Sequence, residues 1–238
     1  MSNIVQIFTP DTNPDAPVQI APEVLSSSSI KVKWNKPMWV HDFYYYEAKC
    51  YLGETLVDTQ QVYDVNTLEL TFTGLRENTE YNFSITCTDL ADPVSYTSVA
   101  SNVQSATTLN EPPLPVVASA VSQTSSTATI SWTASTAHDF ITYAVFKNGV
   151  EVGTTTLLQY EFTGLIDNTT YTLGVKVKDN LNAYSTISTV NMTTNNAPPQ
   201  PVVLYTPTGT SSSINLSWSQ ATNTHDFLNY KIIRNTVG

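Results

Sequence analysis

A pattern that recurs three times along the 238-residue chain limits its fold more than any other feature. Trp34, Trp132 and Trp218 each follow a proline by 17 residues, and the tripeptide His-Asp-Phe comes six or seven residues after each tryptophan. The tryptophans are 98 and 86 residues apart, far more than the roughly 20–50 residues of a solenoid repeat. Each unit is therefore large enough to hold its own core, and we expect a series of separate domains.

Short alternating segments lead into each tryptophan. Residues 30–34 alternate between apolar and polar side chains, and the segments that end at Trp132 and Trp218 show the same alternation. A period of two is typical of a half-buried β-strand. Turn-forming residues recur between these segments, and no stretch shows the period of a helix. The pattern predicts an all-β fold with about seven strands in each complete unit.

The first two copies also share motifs beyond the tryptophan. In both, Thr-Gly-Leu is followed by Asn-Thr-x-Tyr, which ends at Tyr81 in the first copy and at Tyr171 in the second. Together with the tryptophan on the second strand and a tyrosine on the third, these motifs resemble the fibronectin type III family. In that family a tyrosine corner ties the crossover between two strands to the backbone, and the pairs Leu75/Tyr81 and Leu165/Tyr171 resemble it.

The resemblance implies tandem fibronectin-type-III-like, that is immunoglobulin-like, β-sandwiches with the third one incomplete. It implies structural roles for five aromatic residues: Trp34, Trp132, Trp218, Tyr81 and Tyr171. Half a sandwich exposes an apolar face and an open sheet edge, so either the natural chain continues beyond Gly238, which we expect, or a partner supplies the missing strands. The predicted division is an N-terminal arm (1–14), domain 1 (15–109), domain 2 (110–195) and a partial domain 3 with its first three strands only (196–238).

The charge balance excludes some classes of partner. The chain has 10 Lys and Arg against 20 Asp and Glu, a formal net charge of -10. Nucleic-acid binding needs clustered basic residues, and none are present. No apolar run approaches the roughly 18 residues of a membrane span, and the first ten residues lack the basic and apolar regions of a signal peptide. We therefore expect no nucleic-acid partner and no membrane insertion, and an export signal that is either absent or already removed.

No motif in the sequence indicates catalysis. The repeated His-Asp-Phe tripeptide could indicate a metal site or an acid–base pair. However, no further ligand recurs at a fixed spacing to complete a metal shell. Its simpler interpretation is a loop in which the phenylalanine closes one end of the core. Cys50 and Cys87 fall on core-facing positions. In the fold that the resemblance implies, their strands are antiparallel neighbours and the two cysteines are offset by about six residues, some 20 Å, which is too far for a disulfide, so we expect two buried free thiols. The chain is expected to be non-enzymatic, with no cofactor, no metal and no catalytic residue.

Two segments are candidates for contact with a partner. The first copy has a cluster of aromatic residues at 39 and 43–46, in which alternation predicts that Tyr46 is internal and Tyr45 external. It is also seven residues longer than the second copy before Thr-Gly-Leu, with the excess expected near Tyr63. The N-terminal arm is apolar at first. The candidate contact residues are Ile4, Ile7, Phe8, Trp39, Tyr45 and Tyr63.

Three classes of function compete, of which a eukaryotic cell-surface receptor ectodomain is the least favoured, because the sequence has no signal peptide and no Arg-Gly-Asp motif and is rich in Thr and Asn. The main hypothesis is a tailed-bacteriophage virion component of a tail, baseplate or fibre, assembled in the host cytoplasm and using sandwiches as spacers. Its partners would be other virion proteins in a homo-oligomer, with a host-surface glycan or protein as a further partner. The alternative is a set of accessory modules in a bacterial extracellular adhesin or polysaccharide-degrading enzyme, located outside the cell or on its surface.

Overall fold

The computed structural model describes residues 12–38, 42–90, 95–222 and 226–234. Every regular element in these residues is a β-strand, which confirms the all-β prediction. The described part of the chain contains no helix that could cross a membrane. The chain divides into two compact units, residues 1–112 and 113–238, and each is described by itself.

The first unit contains one two-layer β-sandwich. One layer is a three-stranded sheet in the order β1-β2-β5, and the other is a four-stranded sheet in the order β4-β3-β6-β7; all neighbouring strands are antiparallel. The seven strands are β1 (Val18–Val24), β2 (Ser29–Asn35), β3 (Phe43–Leu52), β4 (Thr55–Val62), β5 (Glu69–Thr73), β6 (Glu80–Asp89) and β7 (Gln104–Thr107).

The core of this sandwich forms where alternate residues of the two sheets face each other. On β2, Ile30, Val32 and Trp34 are buried, while the lysines between them point outward. The Trp34 ring meets the Tyr46 ring of β3 edge to face, with 5.4 Å between ring centroids. This contact joins the two sheets across the interior, and Phe43 packs on the same tyrosine at 4.7 Å. The His-Asp-Phe phenylalanine thus closes the end of the core.

The second unit repeats this architecture. Its three-stranded sheet has the order β12-β9-β8 and its four-stranded sheet the order β11-β10-β13-β14. Trp132 and Tyr143 make the same edge contact at 5.3 Å, inside a core that is separate from the first. The seven strands are β8 (Ala118–Gln123), β9 (Ala128–Trp132), β10 (Phe140–Lys147), β11 (Val150–Thr155), β12 (Gln159–Phe162), β13 (Thr170–Asp179) and β14 (Ser188–Thr193).

The predicted partial domain at residues 196–238 has less regular structure than expected. Its strands are β15 (Thr208–Gly209) and β16 (Ile214–Asn215), together with an isolated bridge between Leu204 and Trp218. Residues 226–234, where a third strand was expected, form no strand. In the two complete copies this strand pairs on both sides, and residues 226–234 have no such neighbours in the described part of the chain. The division of the chain at residue 196 stays a prediction.

The tyrosine corner has the geometry that the resemblance implied. The Tyr81 hydroxyl accepts a hydrogen bond from the backbone N–H of Arg76 at 2.9 Å, and the Tyr171 hydroxyl accepts one from Ile166 at the same distance. A threonine directly after the last strand of each sandwich adds a further hydrogen bond to the corner. Thr108 donates to the Arg76 carbonyl at 2.6 Å, and Thr194 donates to the Ile166 carbonyl at 2.6 Å.

An acidic residue in each corner bonds the proline-rich segment that follows the sandwich; these segments, residues 111–113 and 197–199, are called the joins. A Glu77 carboxylate oxygen accepts the backbone N–H of Glu111 at 2.6 Å. In the second sandwich, an Asp167 carboxylate oxygen accepts the backbone N–H of Ala197 at 2.9 Å. The first residues of both proline-rich joins are therefore bonded to the sandwich that precedes them.

The two cysteines are buried free thiols. Cys50 lies opposite Phe83 in the β3–β6 ladder, and Cys87 lies opposite Tyr46. The thiols are thus four residues apart in register, which is about 13 Å along a strand and too far for a disulfide. The sequence alone indicated an offset of about six residues at 3.3 Å each, because it does not determine how the two strands pair.

Removing the corner hydroxyl should destabilise the sandwich that contains it. In Tyr81→Phe the backbone N–H of Arg76 loses its acceptor, and we expect the first sandwich to lose about 1–3 kcal/mol of unfolding free energy. Tyr171→Phe should act in the same way on the second sandwich. The measurement is urea denaturation followed by tryptophan fluorescence. The control Tyr205→Phe, at a largely exposed tyrosine, should change the unfolding free energy by less than about 0.5 kcal/mol.

The native chain should resist thiol reagents. Burial raises the pKa of Cys50 to about 12 and that of Cys87 to about 11. At pH 8 the thiolate fraction is then below about one in a thousand, and the thiolate is the reactive form. We expect Ellman's reagent to label neither thiol in the native chain and both in the urea-unfolded chain. Rapid labelling of the folded chain would contradict the buried arrangement.

Candidate binding surface

A β-bulge places two neighbouring tyrosines on one side of the first sandwich. The register between β3 and β6 shifts between Phe43 and Tyr45, so Tyr44 is an extra residue in the ladder. A bulge re-aims the side chains of the bulged strand, so the strict alternation expected from the sequence fails here. The rings of Tyr44 and Tyr45 lie 5.0 Å apart in an edge-to-face arrangement.

Tyr63 adds a third ring to this pair. Its ring lies 5.7 Å from that of Tyr44 and 5.8 Å from that of Tyr45. Tyr44 and Tyr63 are 41% and 60% exposed, and Tyr45 is half-buried. We call these three residues the tyrosine patch. Contiguous exposed aromatic groups are the kind of surface that binds partners, because they offer a large apolar area with few rotatable bonds.

The additional length of the first copy positions Tyr63. β3 and β4 are each two residues longer than β10 and β11, and the connection from β4 to β5 is three residues longer than its counterpart. Tyr63 is the first residue of that longer connection. The seven extra residues are thus distributed over a longer hairpin and its exit, rather than concentrated in one loop.

A row of polar side chains runs along the sheet from the tyrosine patch. The Tyr63 hydroxyl donates to the Gln61 side-chain oxygen at 2.7 Å, and the Gln61 amide nitrogen donates to a Glu47 carboxylate oxygen at 3.3 Å. The other Glu47 oxygen pairs with the Lys49 ammonium at 2.8 Å. We call Gln61, Glu47 and Lys49 the polar row. Glu47 and Lys49 alternate with buried residues of β3, and the exposed Gln61 alternates with half-buried residues of β4, so all three lie on the outer face of the sheet.

The charges of the polar row stabilise each other. The hydrogen bond from Lys49 holds the pKa of Glu47 below its ordinary value, and the same bond raises the pKa of Lys49. Both groups therefore stay ionised around neutral pH. Because they are paired, the row carries no net charge.

The second sandwich lacks both features. The pairings of Tyr46 with Val62 and of Tyr143 with Thr155 make Thr156 the counterpart of Tyr63. Ile141 and Thr142 occupy the positions of Tyr44 and Tyr45. Glu47 corresponds to Ala144, which is fully buried. Here Lys176 lies over the Phe146 ring at 5.3 Å, so a cation–π contact covers the region that the polar row occupies in the first sandwich.

The structure brings together only some of the residues that the sequence indicated. Tyr45 and Tyr63 meet in the tyrosine patch, while Ile4, Ile7, Phe8 and Trp39 lie outside the described residues. Trp34, Trp132, Tyr81 and Tyr171 are buried in the two cores, and Trp218 is half-buried. The sequence placed Tyr44 in the aromatic cluster but not among the candidate contact residues, and it did not indicate the polar row. The available signal was the run of three tyrosines at 44–46. With Tyr46 inside, strict alternation places only Tyr45 outside, so a second outward tyrosine requires an irregularity in the strand.

A second surface feature has a structural explanation. A groove of about 540 Å³ opens in the segment after residue 195. Its lining includes side chains at the positions that form the core of the second sandwich, where Trp132, Tyr143 and Val145 are buried. The groove thus corresponds to the uncovered core of the third repeat. Its lining residues at core positions are Val202, Leu204, Leu216, Trp218, Tyr230 and Ile232.

Comparison with known proteins gives two partial matches. Exoglucanase B of Cellulomonas fimi is 31% identical over 145 residues, which are 58% of this chain and 13% of that protein. Chitinase A1 of Niallia circulans is 35% identical over 114 residues, which are 46% of this chain and 16% of that protein. The match therefore spans less than a fifth of the length of either relative. No protein-family model matches the chain.

The tyrosine patch should be dispensable for folding, in contrast to the core tyrosine beside it. Tyr63→Ala should change the unfolding free energy of the first sandwich by less than about 0.5 kcal/mol, because the ring is mostly in solvent. Tyr46→Ala should lower it by about 3–5 kcal/mol, because that ring is fully buried against Trp34. Urea denaturation of both variants gives the comparison. A large loss of unfolding free energy in Tyr63→Ala would show that the Tyr63 ring stabilises the core, contrary to this prediction.

Proposed function

We propose that this chain is a non-catalytic, accessory region of an extracellular polysaccharide-degrading enzyme, in which β-sandwiches act as spacers and docking modules. The similarity to Exoglucanase B carries the proposal. Its 145 matched residues exceed the 98-residue spacing between Trp34 and Trp132, so the similarity is longer than one sandwich. The same residues are a small share of that protein, as expected for a module beside a larger functional part.

The names of both relatives denote enzymes that act on polysaccharides, a glucan in one case and chitin in the other. Neither relative bears the name of a virion protein. This favours the alternative hypothesis from the sequence over a tailed-phage component. The extracellular location follows from the substrates, since such polymers are too large to enter a cell.

The test separates the region from the enzyme that carries it. The natural protein that contains this sequence should release reducing sugars from cellulose or chitin, and the 238-residue chain alone should release none above an enzyme-free control. Deleting residues 1–238 from the natural protein should lower its rate on the insoluble polymer severalfold, because a linked module raises the effective substrate concentration. Its rate on a soluble oligosaccharide should not change.

Two results would contradict the proposal. One is hydrolysis by the 238-residue chain alone. The other is recovery of the chain, by mass spectrometry, from purified tailed-phage particles, with no polysaccharide hydrolysis by the natural protein.

A further inference from the structure

We propose that the tyrosine patch and the polar row together form a binding site for a neutral β-1,4-linked glycan chain, lying along the outer face of the first sandwich. The ligand class rests on the proposed function. The position of the site rests on the geometry of Tyr44, Tyr45 and Tyr63 and of the row that begins at Gln61.

The tyrosine patch suits the apolar face of a sugar ring. A β-linked pyranose presents C–H groups on its faces, and aromatic rings carry negative charge on theirs, so the two surfaces attract and exclude water together. Tyr63 leaves 60% of its surface open and Tyr44 leaves 41%. The hydrogen bond from Tyr63 to Gln61 holds the most exposed ring in place before a ligand arrives. Less conformational entropy is then lost on binding.

The polar row suits the hydroxyl groups at the edges of the same sugar. A hydroxyl both donates and accepts hydrogen bonds, so it pairs best with a mixture of donors and acceptors. Gln61 offers both kinds of atom, Glu47 accepts and Lys49 donates. Tyr45, Glu47 and Lys49 are alternate residues of one strand and extend over about 13 Å, which is long enough for more than one sugar ring.

The surface is an open sheet face rather than a pocket. Thr86 lies opposite Glu47 in the β3–β6 ladder, and Ser84 lies opposite Lys49. The outer face therefore continues from β3 onto β6 with short hydroxyl side chains. An open face accepts the middle of a polymer, whereas a closed pocket accepts an end or a monomer. The site therefore fits an extended chain.

The electrostatics favour a neutral ligand. Glu47 and Lys49 neutralise each other, so the site has no excess cation to attract a uronic acid or a sulfated sugar. The formal net charge of the chain is -10, which repels anionic polymers. A protein partner would need about 800 Å² of surface on each side, with apolar residues at its centre. Three tyrosines bordered by an ion pair match a sugar chain better.

The experiment measures binding of two soluble probes to the 238-residue chain. Isothermal titration with cellohexaose and with chitohexaose distinguishes a glucose chain from an N-acetylglucosamine chain. We expect the wild type to bind at least one of them and Tyr63→Ala to bind it about tenfold more weakly, as for an aromatic hot spot. Tyr63→Phe should weaken binding less, because it keeps the stacking ring. The control Tyr205→Ala, at another exposed tyrosine, should bind as the wild type does.

Several outcomes overturn the site. They are the absence of binding of either hexasaccharide by the wild type, unchanged affinity in Tyr63→Ala, and equal loss in Tyr205→Ala. Tighter binding of a polyuronate than of the neutral hexasaccharides would also refute it. So would a result in which the chain binds no glycan but captures a protein, and Tyr63→Ala abolishes that capture. Because hydrolysis by the natural protein is measured separately, the site can fail while the accessory role stands.

Discussion

The edge-to-face contact between a tryptophan of one sheet and a tyrosine of the other underlies each complete sandwich. Trp34 and Tyr46, and likewise Trp132 and Tyr143, join the two layers across the interior at nearly the same ring distance. Neither indole N–H has a hydrogen-bond partner among the described residues, so packing rather than polar bonding holds the tryptophan. Since Tyr46 is on β3, its inward position also determines that its neighbours Tyr45 and Glu47 face outward. The inward position of Tyr46 therefore determines which residues of β3 lie on the surface that we propose for binding.

The third repeat shows the tryptophan–tyrosine contact without the strands that surround it in a complete sandwich. Trp218 and Tyr230 lie only 12 residues apart in sequence, and their rings reach the same 5.3 Å edge contact. Yet Tyr230 is 39% exposed where Tyr143 is 3% exposed, and Ile232 is 63% exposed where Val145 is fully buried. The ring pair is a local contact, whereas burial requires partner strands that are distant in sequence. In the second sandwich β12 and β13 supply them.

Local patterns in the sequence predicted the parts of the fold that local interactions determine. Alternation located β2 and β9, and the Gly-Leu and Asn-Thr-x-Tyr motifs located both tyrosine corners. The tyrosine patch was only half predicted. Alternation put Tyr45 outside, but the bulge at Tyr44 depends on how β3 pairs with β6, a pairing that no single segment encodes. The polar row was missed for the same reason, because Gln61 and Glu47 meet only through the register between β3 and β4.

The acidic residues of the two corners determine where load would enter each sandwich. Glu77 and Asp167 accept hydrogen bonds from the first residues of the joins. Thr108 and Thr194, directly after β7 and β14, donate to the Arg76 and Ile166 carbonyls. A tensile force that enters a sandwich through its join would therefore load these side-chain bonds before the backbone ladder between β6 and β7 or between β13 and β14. Breaking these bonds would leave the tryptophan–tyrosine contact between the two sheets in place.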